Sequence, residues 1–391
     1  MSATRAPRVD PRAIERLGRA REAMSSEGFD ALFLTTGTNL CFLSGYPTVE
    51  MTLARPFYLV VPRRGAPVLL VHEGRRSEAS RYAWIGDIRT YARLSEAPID
   101  ELTAIVDDLS IRRGRIGAEL GFEQRLGMPV LEFEKLRAGL APATFDDAAP
   151  LLWRLRMIKS PDDIDSIRRA CQITGVAYEA TFRTIEAGVL DTQVAHRLET
   201  VMVDGGGHDP WVLVTSGRGN YALATGAPMD RELELGDMVW FDAGCSVDGM
   251  WSDFSRSGVI GGPGRDQLQA QQQILELTRR GVKMVRPGVA VAEIAARLNE
   301  GTRKLDLPVV SATSILAGRV GHGIGYDITE PPHLSETDPT LLEPGMVISI
   351  EPGVATDFGL FHAEENVVVT EAGYEVLSTC SAELRTIGVT S

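Results

Sequence analysis

The sequence predicts an α/β amino-terminal domain followed by a larger α+β domain. Three observations carry this. Short apolar runs alternate with amphipathic helical stretches up to about residue 150. A strong helix start follows at Ser160. Beyond Trp211, β-like runs and turns predominate. A length of 391 residues suits two domains better than one. The 44% apolar content is enough for a full core in each.

Ile14, Leu17, Ala20 and Met24 recur at helical spacing and predict a helix over 11–28. Ala31–Leu34, Phe57–Val61 and Val68–Val71 follow as strands, separated by Gly, Pro and charged turns. Asp100–Leu109 and Leu131–Ala138 read as helices between strands. The boundary falls within Leu151–Lys159, giving domains of 1–155 and 156–391. In Ser160-Pro161-Asp162-Asp163 the serine is the cap, the proline suits the first helical position, and Asp163 completes a capping box. Ile164, Ile167, Cys171 and Thr174 carry that helix onward. Further helices are expected at 191–204, 267–285 and 291–304, and a strand at Trp211–Thr215.

The formal charge of −13 argues against nucleic acid or an anionic membrane as partner. The sequence has no apolar stretch near the length of a membrane span. Met1–Asp10 is polar, carries Arg5 and Arg8, and does not read as a secretory signal. Cys41, Cys171, Cys245 and Cys380 form no CxxC and read as reduced thiols, so a cytoplasmic protein is expected.

The most informative stretch is Met238–Ser257, MVWFDAGCSVDGMWSDFSRS. Two β-like runs flank Asp248-Gly249, a two-residue hairpin signal. That turn pairs Val247 with Met250, and sets Asp242 opposite Ser255 and Asp253 opposite Gly244. Asp242 and Asp253 then share a face as diagonal neighbours, roughly 7–8 Å apart at the backbone. Two carboxylates on one half-buried face repel unless a cation lies between them. Three more segments add ligand types. His322 lies in the Gly-rich GHGIG, Glu351 ends the apolar run of SIEPG, and Glu364 precedes the β run Val367–Thr370.

This order, Asp-x10-Asp, GHGIG, SIEPG and then EEN, resembles the pita-bread metallohydrolases, which include aminopeptidase P, prolidase, methionine aminopeptidase and creatinase-like enzymes. The entry LRMIKSPDDIDSIRRA and the early TNLCFLSGYP extend the resemblance to nearly the whole chain. The resemblance implies a creatinase-like α/β amino-terminal domain and an α+β pita-bread catalytic domain. It implies two divalent ions, with Asp242 on one, Asp253 and Glu364 bridging, and His322 and Glu351 completing the second. Four carboxylates and one imidazole suit Mn²⁺, Fe²⁺, Co²⁺ or Zn²⁺, with manganese the leading expectation. Such a pair activates water and polarises a carbonyl. The resemblance also implies a homodimer, in which Arg55 could reach the partner's site.

The chain departs from the peptidases on the substrate side. Thr225 stands where they carry a histidine upstream of the first metal Asp. Thr329 stands where a second follows the metal His by seven residues. His362 stands where an arginine precedes the last metal Glu. Threonine cannot act as acid or base near pH 7. His208, Tyr326, His333 and His362 are the candidates for a replacement shell, together with Thr225 and Thr329 themselves. The expected activity is hydrolysis of a C–N bond in a small amide or short peptide. The alternatives are a true Xaa-Pro dipeptidase or aminopeptidase, and a metal-dependent lyase like those acting on dimethylsulfoniopropionate. Those lyases carry another carboxylate two residues after the first metal Asp, where this chain has Gly244. A binding module without catalysis would have no need for five ligands.

Overall fold

A computed structural model describes residues 11–46, 55–223 and 226–388. The chain divides into two compact units, Met1–Arg156 and Met157–Ser391.

The first unit opens with α1 (Pro11–Glu27), whose buried Ala13, Leu17, Ala20 and Met24 form its inner face. It continues through β1 (Ala31–Leu34), α2 (Gly37–Ser44), β2 (Tyr58–Pro62), β3 (Val68–His72), α3 (Arg76–Tyr82) and β4 (Asp87–Tyr91). Then come α4 (Ile99–Asp108), β5 (Arg115–Ala118), α5 (Val130–Leu140), β6 (Thr144–Asp147) and α6 (Ala149–Met157). The six strands form one mixed sheet in the order β4-β3-β2-β1-β5-β6. Leu102, Ile105, Leu136 and Leu140 from α4 and α5 pack on Phe33, Tyr58, Val60 and Leu70 of the sheet. The four-residue strands β5 and β6, which sequence patterning does not reveal, are placed by pairing, β5 on β1 and β6 on β5, rather than by alternation of their own.

Glu119 follows β5 and is 1% exposed. Its carboxylate accepts from Thr35 N and Oγ1 at 2.7 Å, from Thr36 N at 3.0 Å, from the Thr36 hydroxyl, and from Asn39 Nδ2 at 2.7 Å. This buried charge is satisfied wholly by donors, and it ties α2 to the sheet.

The second unit begins with α7 (Pro161–Phe182). Its capping box is formed as the sequence predicts, Ser160 Oγ accepting from Asp163 N and Asp163 accepting from Ser160 N. After α8 (Asp191–Asp204) come β7 (His208–Ser216), β8 (Met238–Val247), β9 (Met250–Trp251) and β10 (Phe254–Ile260). Next are α9 (Arg265–Met284), α10 (Val291–Arg303), α11 (Thr313–Ala317), β11 (His322–Gly323), β12 (Glu330–His333) and β13 (Val347–Ile350). The chain ends with β14 (Gly353–Thr356), β15 (Gly359–His362), β16 (Glu365–Thr370), β17 (Gly373–Val376) and β18 (Arg385–Ile387). One sheet runs β18-β10-β8-β7 with β9 against β8. A second runs β12-β11-β13-β16-β17, and β14 pairs with β15. No described helix is long and apolar enough to cross a membrane.

Each larger sheet carries a helix pair. Tyr178 and Phe182 of α7 and Leu198 and Met202 of α8 pack on Phe241, Ala243 and Cys245 of β8. Tyr178 stacks on Phe241 and meets Phe254 edge-on, and its hydroxyl donates to Phe254 O at 2.5 Å. Leu277 of α9 and Ile294 and Leu298 of α10 pack on Ile348, Ile350, Val367 and Val369. Every residue of β8 is buried, so the face opposite Phe241 is interior too, and that face holds Asp242.

The hairpin register is the one the turn predicts. Val247 pairs with Met250 and Asp242 with Ser255, and Asp248 and Gly249 both have positive φ as a type I′ turn requires. At Gly244 any side chain would collide with Ser252 O. The hairpin therefore admits no additional carboxylate there of the kind the lyases carry.

Ser160→Ala removes the cap acceptor, so the second unit should lose about 1 kcal/mol of stability. Gly244→Ala should cost more than the cap change, because backbone must move. Urea unfolding followed by tryptophan fluorescence checks both values and their order.

Candidate functional site

Five elements deliver the five ligand-type residues. Asp242 lies in mid-β8, flanked across the sheet by Leu213 and Ser255. Asp253 lies where the β8 hairpin ladder lapses before β10. There Asn366 takes over its backbone, Oδ1 accepting from Asp253 N at 2.9 Å and Nδ2 donating to Asp253 O. His322 opens β11, and its N–H donates to Ser349 Oγ at 3.1 Å. Glycines on both sides matter here: a side chain at 321 would strike Ser349 O, and one at 323 would strike Pro331 O. Glu351 follows β13, its N–H donating to Val320 O at 2.9 Å. Glu364 follows β15, held by its N–H to Ser255 Oγ at 3.1 Å and by Arg256 Nη1, which donates to its carbonyl at 2.9 Å.

Ligand atoms of Asp253, His322 and Glu364 lie within 4.8 Å of one another, and all three residues are buried. His322 Nε2 is 3.3 Å from Asp253 Oδ2 and 3.7 Å from Glu351 Oε1. His322 Nδ1 is 3.0 Å from Gly323 O. A carbonyl only accepts, so Nδ1 carries the proton and Nε2 is left for a ligand.

The electrostatics state the cost of this convergence. Burial, then the charges of Asp253 and Glu351, push the Asp242 carboxyl well above its ordinary pKa. Burial, then Asp253 and Asp242, do the same to Glu364. Burial would raise Glu351, but a hydrogen bond from His362 and the charge of His322 outweigh it and hold Glu351 low. Burial would lower His322, but Asp253 and Glu351 outweigh it and hold His322 high. Asp242 Oδ1, Asp253 Oδ1 and both Glu364 carboxylate oxygens are buried with no hydrogen-bond partner among the described residues. Unpaired buried carboxylates are costly, whereas hard-to-borderline divalent cations favour such an oxygen-rich set with one imidazole. The residues fit a divalent metal centre.

Of the substrate-side residues, His362 is brought to this cluster. It is 9% exposed, with Nε2 3.4 Å from Glu351 Oε2 and Nδ1 3.0 Å from Ser255 Oγ. His362 and Glu364 do not lie on one continuous strand. β15 ends at His362 and β16 starts at Glu365, so the chain bends between them. Ser255 spans that bend, donating to His362 O at 3.0 Å and accepting from Glu364 N. Thr329 precedes β12 and His333 ends it, and His333 pairs with His322. Arg319 joins them, Nη1 lying 3.3 Å from His333 Nδ1 and Nη2 donating to Thr329 Oγ1 at 3.5 Å. Tyr326 lies elsewhere, its ring against Gly249 of the hairpin turn and its carbonyl accepting from Trp251 Nε1 at 3.2 Å. His208 is exposed, opposite Ser246 at the turn end of the sheet. Thr225 falls outside the described residues. Cys245 is buried, with Sγ toward Thr174 Oγ1 and Ala170 O, as packing requires.

Sequence reasoning missed Ser255, Ser349, Asn366 and Arg319 as parts of this region. Ser255 was readable as the register partner of Asp242, and Asn366 closes the EEN segment. Nothing in the pattern marks Arg319, because its contacts depend on how β12 folds back on β11.

The sequence profile of metallopeptidase family M24 matches residues 165–371, more than half of the chain. The chain belongs to this family. The profile of the creatinase/prolidase N-terminal domain matches residues 16–158. An Xaa-Pro dipeptidase of Pyrococcus furiosus is 31% identical over 268 residues, 68% of this chain and 75% of that protein. A dipeptidase from Mycobacterium ulcerans superposes with a TM-score of 0.83 at 25% identity, covering 97% of this chain and 98% of that one. The prolidase of Pyrococcus horikoshii superposes with a TM-score of 0.80 at 24% identity, over 94% of this chain and 99% of that one, and so shares the fold. The chain is thus a metal-dependent hydrolase with a creatinase-type amino-terminal domain and a pita-bread catalytic domain. The lyase alternative is not favoured.

Two outcomes follow. Asp253→Ala should lose most bound metal, read by elemental analysis of the purified protein, with full metal content in the variant refuting the assignment. Burial and neighbouring carboxylates favour the protonated forms of Asp242 and Glu364, and a cation favours the ionised ones. Metal binding to chelator-treated protein should therefore release protons and tighten as pH rises. Calorimetry in two buffers of different ionisation enthalpy gives the proton count.

Proposed function

We propose that the chain hydrolyses a C–N bond in a small amide or peptide-like substrate, using two divalent ions, manganese foremost, held by Asp242, Asp253, His322, Glu351 and Glu364. The observation that carries this reading is the set of buried carboxylate oxygens left without partners where the strands converge. When bound, the ions supply Lewis acidity toward a carbonyl oxygen and lower the pKa of water. The chain's own residues do the rest. His362, held by Ser255, orients the Glu351 carboxylate through its second oxygen. Thr329 offers a hydrogen bond at the β11–β12 edge but no proton transfer near pH 7. The buried walls of β8 and β13 exclude water around the ligands.

A second reading, Xaa-Pro dipeptide cleavage, is favoured by the names of the relatives. We further propose a homodimer, by family resemblance, and a cytoplasmic location. The absence of disulfides among four free cysteines and the acidic charge support the latter.

A panel of Xaa-Pro dipeptides, N-acyl amino acids and their carboxamides, assayed with manganese-loaded protein, separates the two. A general acid or base contributes about 10²–10⁴-fold, so Thr329 should leave Xaa-Pro turnover slow. A kcat/KM on Xaa-Pro dipeptides of about 10⁵ M⁻¹s⁻¹ or more, an ordinary enzyme value, establishes the dipeptidase reading instead. No turnover of any member overturns both.

A further inference from the structure

Arg319 stands three residues before His322, just after the short helix α11 and its Gly318 cap. Val320 N donates to Leu334 O and Leu334 N donates to Gly321 O, both at 2.9 Å, so the chain here is already bonded to the end of β12. The Arg319 guanidinium lies along β12 from end to end, near His333 Nδ1 at one side and Thr329 Oγ1 at the other. Both contacts are long for a guanidinium with five N–H donors. Arg319 forms no ion pair with a carboxylate among the described residues, although acidic residues outnumber basic ones, 53 to 40. Arg256 shows what a structural arginine here looks like: 2% exposed, it pairs with Glu365 at 3.1 Å and donates to the carbonyls of Ser255, Glu364, Thr379 and Cys380. Arg319 is only partly buried, and its guanidinium makes the two contacts with His333 and Thr329 among the described residues. Its neighbour His333 is the strand partner of the ligand residue His322 across β11 and β12, which sets the guanidinium beside the cluster.

We propose that Arg319 is a specificity residue that anchors a free carboxylate of the substrate beside the metal cluster, with Thr329 and His333 bracing the guanidinium. The inference rests on the amide-hydrolase reading and narrows it to substrates bearing a carboxylate close to the scissile bond. Once cations neutralise the four carboxylate ligands, Arg319 is a positive group on this edge without a carboxylate partner among the described residues, whereas Lys159 is paired with Glu330 of β12 at 2.6 Å. A guanidinium binds a carboxylate through two parallel N–H donors, which fixes orientation as well as affinity. The competing role is a brace that merely holds β12 in place.

The test compares wild type, Arg319→Gln and Arg319→Lys on the substrates the panel identifies, each against its carboxamide. Wild type should prefer the carboxylate form, and Arg319→Gln should lose about 10- to 100-fold in kcat/KM on it, mostly through KM. The carboxamide should change little, and Arg319→Lys should recover part of the loss. Metal content and melting temperature are measured alongside. Binding of L-proline against L-prolinamide, by calorimetry on the same proteins, needs no turnover and so stands if the amide-hydrolase reading fails. A wild-type preference for L-proline that vanishes in Arg319→Gln supports the anchor. Equal losses on carboxylate and carboxamide, or no loss on either, overturn it and leave the brace.

Discussion

The constraint on which this structure turns is the meeting of four carboxylates where the described residues offer too few hydrogen-bond donors. Asp242, Asp253 and Glu364 are buried, and several of their oxygens have no partner among the described residues. The same chain shows how it treats a carboxylate meant only to hold structure: Glu119, equally buried, is surrounded by hydroxyl, amide and backbone donors. The contrast separates a charge satisfied by the fold from charges the fold leaves for a cation.

Around that constraint the rest is arranged in layers. Helix pairs α7/α8 and α9/α10 bury the outer faces of the two larger sheets, and so make the inner faces interior as well. Polar side chains on the inner faces then set the ligands. Ser349 receives the His322 N–H, Ser255 receives that of Glu364, and Arg256 fastens the chain beyond it. The substrate side has a different character. Thr329, His333 and Arg319 meet through long contacts at an edge that is only partly buried, which leaves it open to change while the metal frame stays fixed.

How much of this was legible beforehand depended on how local the cause was. The α7 start is written in Ser160-Pro161-Asp162-Asp163, and the β8–β10 register in Asp248-Gly249, because caps and turns act within a few residues. The order of ligand-bearing segments was legible through resemblance. The place of His362 beside Glu351 is not written in its two-residue spacing from Glu364, since a bend bridged by Ser255 brings it there. Tyr326 and His208 look equally placed in sequence, yet one packs on the hairpin turn and the other is exposed, because only the register of β11 and β7 decides where each falls. β5, β6 and α11 are too short to show a period.

Asn366 gives Asp253 a support that its own hairpin does not. Its amide acts as a surrogate peptide group, occupying both the donor and the acceptor of a residue where the β8–β10 ladder lapses. Asn366 itself belongs to β16, in the other sheet, and Cys171 Sγ of α7 points to its Oδ1 at 3.4 Å. The two sheets are therefore stitched at the position of a metal ligand. Local opening of either sheet breaks the hold on Asp253, so the metal centre is coupled to the integrity of both.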